Sequence, residues 1–324
     1  MILLKKLSIV LFFSIYCSAL YTQDISFAQL QINKFQLNPA YSSIYKQSSV
    51  FIHYSNQIPS IANGFRTYNF TYNQAFAKSK RGISLGVLSD RLAGSIFSTN
   101  SVDFCYSQYV KTGHFSSLSF GFQSSFILNT INNSGQTFVV QENLPSQTIF
   151  EPKFSFGLLY LKKDWILGIT INDLSTFITF NKNNLSSFRI VTEIEKKINL
   201  FNIEQTSWEK GTNITPSLIV KYYLSNIQYT YGIKIEKYNI LAGTWLRNGF
   251  PFYYTNFIAG IGWQYSNLIL FYTYDFNAHS LSMPYPLTNS HEISMQINFG
   301  QKIKKTNRKS VRCPEIGRNE NIEK

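Results

Sequence analysis

Between Ser290 and Gly300 the chain reads SHEISMQINFG, and its side chains alternate in character. Ile293, Met295, Ile297 and Phe299 share the odd positions with His291, while Ser290, Glu292, Ser294, Gln296 and Asn298 fill the even ones. A period of two predicts a strand with one apolar and one polar face. The pattern recurs back to about residue 50. It predicts strands over 50–58, 65–76, 82–90, 101–110, 115–128, 153–162, 165–173, 213–224, 226–236, 238–247, 255–266 and 267–276. The clearest is 226–236, where Ile227, Tyr229, Tyr231, Ile233 and Ile235 oppose Asn226, Gln228, Thr230, Gly232, Lys234 and Glu236. Residues 78–82, 111–114 and 163–164 read as short turns, which imply antiparallel hairpins. The stretch 129–152 reads as a longer loop and 174–212 is less regular. Within the latter, 188–200 is expected as a strand, although its Glu and Lys content would also suit a helix. The total is about 14 strands, an even number as bacterial single-chain barrels require.

Such ribbons either wrap a soluble core or close with their apolar face in lipid. Aromatic residues make up 16% of the chain and charged residues only 15%, where a soluble domain carries about 25% charged residues. A surface short of charge and rich in rings favours the transmembrane antiparallel β-barrel, whose lipid-facing band is flanked by aromatic girdles. After Ala19 no uninterrupted apolar run is long enough for a transmembrane helix. Only a closed sheet would then satisfy every backbone hydrogen bond in lipid. Residues 1–22, with Lys5 and Lys6 before an apolar run from Leu7, match a secretory signal peptide cleaved after Ala19 or just before Gln23. Tyr16 is too bulky to make Cys17 a lipidation site. Residues 23–49 are expected as a lead-in loop with a turn at Asn38-Pro39. The expected division is signal peptide 1–22, barrel 23–300 and basic tail 301–324. Even strand parity puts both ends on the periplasmic side.

The formal charge of +13 raises nucleic acid as a partner, but the distribution of basic residues argues against it. Lys302, Lys304, Lys305, Arg308, Lys309 and Arg312 lie in one tail, and the rest are scattered. That tail either keeps a terminus solvated or touches an anionic partner, lipid headgroup or periplasmic protein. Cys105 and Cys313 leave room for a single disulfide and form no framework. His53, His114, His279 and His291 have no metal-ligand spacing, and no nucleophile elbow, P-loop or dinucleotide fingerprint is present. Glu193, Glu195, Lys196 and Lys197 read as a solvated loop or strand end, and Asp90-Arg91 as a local ion pair. No cofactor, metal or catalytic set is expected.

Several segments taken together resemble the PorP/SprF family of outer-membrane proteins linked to type IX secretion and gliding motility in Bacteroidetes. They are LNPAY at 37–41, GISLGVLSDRLAG at 82–94, ITPSLIVKYY at 214–223, GTWLR at 243–247, YTYDF at 272–276, SHEISMQINFG at 290–300, and a basic tail reaching Cys313-Pro314. The resemblance implies a non-enzymatic outer-membrane barrel that works with periplasmic ring or lipoprotein components and helps export or hold secreted adhesin cargo. The basic tail with Cys313 and Pro314 is then the candidate contact for the machinery. Two other readings stay open. One is a channel for hydrophobic solutes, similar to the long-chain fatty acid transporters, which share the strand number and an Asn-Pro-Ala segment here at 38–40. The other is a secreted soluble β-sandwich.

Overall fold

In the computed structural model the described residues are 28–29, 33–45, 47–59, 64–76, 78–92, 96–132, 146–174, 188–200, 212–223, 226–250, 255–277 and 289–299. The first strands are β1 (Ser48–Gln57), β2 (Phe65–Phe76), β3 (Arg81–Leu92), β4 (Phe97–Lys111) and β5 (Ser116–Ile131). They are followed by β6 (Gln147–Lys162), β7 (Trp165–Asn172), β8 (Arg189–Lys196), β9 (Ile198–Asn199) and β10 (Asn213–Tyr223). The series ends with β11 (Asn226–Lys237), β12 (Ile240–Gly249), β13 (Thr255–Tyr265), β14 (Leu268–Asn277) and β15 (Ser290–Phe299). Every pairing is antiparallel. β15 pairs with β1, and β10 pairs with β11, so the sheet closes on itself. β8 and β9 both pair with β10 as successive stretches of one stave interrupted at Lys197, and the barrel has 14 staves. Its two ends differ. At the end where β1 begins, most connections are tight: 163–164, 238–239 and 266–267 are two-residue turns. Lys80, Lys163, Tyr238 and Ser266 have positive φ there, as hairpin turns matched to strand twist demand. Longer connections, among them 132–146 and 278–289, lie at the other end.

Alternation decides which face is which. In β1 and β2, Ser49, His53, Ser55, Thr67, Asn69, Thr71 and Asn73 are buried, while Tyr68 and Phe70 between them are exposed. In β15 the polar set Ser290, Glu292, Ser294, Gln296 and Asn298 is buried, and Ile293 is 52% exposed. A soluble protein hides its apolar face, so this inversion is the arrangement of a barrel standing in hydrocarbon. The helix-capable charges of 188–200 do form strand. The expected loop 129–152 is shorter than anticipated, because β5 runs to Ile131 and β6 starts at Gln147. Those extensions hydrogen-bond to each other and, through Ile131, to Phe97 of β4, and they rise beyond β7, a pairing that Asn, Ser and Gln side chains do not advertise.

Val87 lies midway along β3 on the outer face, 51% exposed, and pairs with the equally outward Phe70 and Val102. Val87→Arg should destabilise the lipid-inserted barrel by about 2–4 kcal/mol, measured as a lowered urea midpoint in phospholipid vesicles. An unchanged midpoint would place this face away from hydrocarbon.

Candidate functional site

The segment before β1 is not a lead-in loop. Residues 28–29 and 33–45 are almost wholly buried, and they lie inside the barrel. Lys34–Leu37 forms one helical turn, α1, and Pro39–Ser43 a 3-10 turn. Asn38 caps the latter: its Oδ1 accepts from the Ala40 N–H at 3.0 Å, and Pro39 occupies the first position, where its missing N–H costs nothing. The Asn38-Pro39 signal therefore marks a cap within a plug.

The plug follows the inner wall from one end towards the other. At the long-loop end, Glu292 of β15 accepts from the backbone N–H groups of Ala28 at 2.8 Å and Gln29 at 3.0 Å. Gln29 donates through Nε2 to Thr273 Oγ1 at 3.0 Å and to the Glu292 carbonyl at 2.9 Å, and it accepts from Ser294. Further down, Asn33 donates to Asn69, and Lys34 forms an ion pair with Glu195, both partners buried. Tyr41 donates to Glu193 Oε2 at 2.8 Å. On β3 to β5, Ser42 meets Ser84 Oγ at 3.0 Å and Cys105 Sγ at 3.3 Å, while Ser119 donates to the Ala40 carbonyl at 2.7 Å. Phe35, Ala40, Tyr41, Ile44 and Tyr45 pack with Leu159, Leu161 and Ile166 of the wall in an apolar cluster. Burial, and then the carboxylates of Glu193 and Glu195, push the Tyr41 and Tyr45 phenols well above their ordinary range. Both therefore stay protonated, and Tyr41 remains a donor.

The wall is shaped to receive this segment. Gly82, Ser107, Gly121 and Gly157 stand in direct register on β3, β4, β5 and β6 and form a shallow band on the inner face. A Cβ at Gly82 would overlap the Ser42 carbonyl, and one at Gly121 would overlap the Ala40 nitrogen. Only glycine lets the two backbones approach so closely.

Several expectations change here. Glu193 and Glu195, read as solvated, are 2% and 5% exposed and hold the plug. Inward parity in β8 was the available signal, since an odd-position acid in an alternating strand points into the lumen. Asp90 turns inward and accepts from Thr67, while Arg91 turns outward, so adjacent parity separates the expected ion pair. Cys105 is a free, buried thiol and donates to the Pro39 carbonyl. His53 is buried against Ser294, and His291 contacts Tyr272 on the outer face. Among the described residues no group of His, Cys, Asp or Glu could hold a metal ion. The expected contact residues of the tail, Lys302 to Pro314, and also Cys17 and His279, lie outside the described residues.

A family model described as type IX secretion system membrane protein PorP/SprF matches residues 19–297. The chain belongs to this family. As a PorP/SprF protein folded into a closed barrel it is an outer-membrane β-barrel of type IX secretion. No curated protein matches it. Among solved structures it is similar to the outer membrane protein Omp33 of Acinetobacter baumannii, at 10% identity and TM-score 0.46, with 79% of this chain and 100% of that one covered. It is also similar to the KdgM porin, at 10% identity and TM-score 0.37 over 78% and 99% of the two chains. A third is CdiB from Acinetobacter baumannii, at 7% identity and TM-score 0.41 over 78% and 60%. The architecture stands on the strand pairing described above and not on likenesses of this size.

Two substitutions probe the seat of the plug. Lys34→Met leaves Glu195 buried without its cation, a loss of about 3–5 kcal/mol, and Gly121→Val blocks the place of Ala40. Both should raise ion conductance in planar bilayers over that of the parent while the barrel remains heat-modifiable. Conductance unchanged in both would contradict the docked plug.

Proposed function

We propose that this barrel is a non-enzymatic docking station of the secretion machinery that supports export or surface attachment of cargo such as large adhesins. The observation that carries this reading, beside the family match over 19–297, is that the lumen holds the protein's own residues 28–29 and 33–45. A barrel whose interior is committed to its own chain is suited to present surfaces at its two ends. The end that carries the long connections offers cargo a surface, because binding residues concentrate between the elements of a rigid scaffold. The tight turns on the other side, which by the rule for outer-membrane barrels face the periplasm, offer a firm platform to periplasmic ring or lipoprotein components.

In this reading residues 1–22 are a cleaved signal peptide and 301–324 a periplasmic tail. Lys302, Lys304, Lys305, Arg308, Lys309 and Arg312, with Cys313 and Pro314, are the contact for the machinery. A concentrated positive charge next to the last strand would attract an acidic partner over roughly a Debye length of about 8 Å at physiological salt. The alternative channel for hydrophobic solutes is disfavoured by the lining. The inward face of β2 and β15 is rich in Ser, Thr, Asn, Gln and Glu, and the apolar inner-wall side chains Leu159, Leu161 and Ile166 are covered by the plug, which leaves an apolar molecule little wall to follow.

Deletion of 301–324 should abolish cargo secretion or adhesin display while the barrel stays in the outer membrane and heat-modifiable. Display at the parental level would reject the assignment of the tail.

A further inference from the structure

At the short-turn end, pairing register sets Lys162 of β6, Trp165 of β7 and Lys196 of β8 side by side. All three have outward parity, since Leu161, Ile166 and Glu195, one residue along each strand, are buried inward. Adjacent strands are about 4.8 Å apart, so the two lysine backbones flank the indole at a separation of about 10 Å. Lys196 Nζ lies 4.8 Å from the centroid of the Trp165 ring, within cation-π range. Above the row, Leu167, Ile169 and Ile171 continue up β7 as an exposed apolar column, with Trp165 itself 43% exposed. The same rim carries two more lysines over exposed rings: Lys163 at 5.6 Å from Phe115 and Lys237 at 5.5 Å from Tyr238.

The inner-face acids at this rim have lysines inside the barrel as their nearest partners. Glu195 and Glu236 belong to the inner face and are engaged by Lys34 and Lys234, which leaves Asp164 as the acid in the β6–β7 turn. At the opposite end ion pairs join Lys153 with Glu151 and Asp173, Arg189 with Asp173, and Arg247 with Asp275, while Arg66 and Arg91 face outward side by side. The row of lysines and tryptophan lies on the side of the tight turns, at the depth where tryptophan sits between acyl chains and headgroups.

We propose that the Lys162, Trp165 and Lys196 row is a headgroup site for an anionic phospholipid of the leaflet bordering the short turns. The phosphodiester lies between the two ammonium groups, the indole packs at the glycerol level, and one acyl chain runs along Leu167, Ile169 and Ile171. Lysine suits this position because its stem follows apolar surface while its charge reaches the headgroup layer. Lipid is favoured over an acidic protein because Lys162 and Lys196 stand on strands on either side of the exposed Trp165, with Lys196 over its ring, at the edge of the lipid-facing band.

The test uses the full-length barrel purified in detergent, with phosphatidylglycerol and phosphatidylcholine added in equal amounts and retained lipid read by native mass spectrometry. The parent should retain phosphatidylglycerol preferentially. Lys162→Gln with Lys196→Gln should cut that retention on the order of tenfold, the scale of two lysines at an anionic surface, with phosphatidylcholine retention and heat-modifiability unchanged. Equal retention of the two lipids by the parent, or undiminished phosphatidylglycerol in the double variant, would overturn the site. So would a parent without lipid preference whose double variant loses capture of an acidic periplasmic protein, since the rim would then be a protein dock.

Discussion

Hydrocarbon offers no partner for an unpaired N–H or C=O, and each buried polar group left unmatched costs several kcal/mol. From that constraint the rest of this protein follows. A sheet in lipid must close, and β1 pairs with β15 while β10 pairs with β11, so no edge remains. Closure in turn assigns the two faces. Rings and aliphatic chains such as Phe70, Val87 and Ile233 point out, and what points in is mostly hydroxyl, amide and carboxylate. An inner wall of that kind needs hydrogen-bonding partners of its own, and the N-terminal segment supplies them.

The plug meets the wall with complementary chemistry. Glu292 accepts two backbone N–H groups, Glu195 faces Lys34, and Glu193 accepts from Tyr41. Buried carboxylates with one partner removed are costly, so wall and plug depend on each other: without the segment, three acids would face the lumen with neither cation nor donor from it. The glycine and serine band on β3 to β6 adds steric selection to this electrostatic one. Backbone lies against backbone there, and a larger side chain in the band would exclude the segment.

The strands were legible because alternation is a local property. Isoleucine and tyrosine against glutamine and threonine over 226–236 name a strand and its two faces without reference to anything else in the chain. The plug was not legible for the opposite reason. KFQLNPAYSS carries the marks of a turn, and whether a turn lies outside a barrel or within it depends on contacts with residues more than a hundred positions away. The glycine band is equally invisible in one dimension, since Gly82, Ser107, Gly121 and Gly157 become neighbours only once the register is known. Glu193 and Glu195 were misjudged because charge near a strand end usually meets water; their parity, which placed them inward, was the better guide. The proposal of a barrel that works through its ends rests on the family match and on the segment held inside the lumen.

The seating of residues 28–29 and 33–45 inside the barrel is tested most directly by a covalent bond across the contact. Ser42 Oγ and Cys105 Sγ are 3.3 Å apart, so Ser42→Cys would bring a second thiol within reach of a disulfide with the native Cys105. On mild oxidation of the folded, membrane-inserted protein, mass spectrometry of its peptides should find residues 42 and 105 joined in most molecules, and reduction should part them. Two free thiols in a barrel that remains heat-modifiable would mean that the segment lies elsewhere and that the polar wall is met by water.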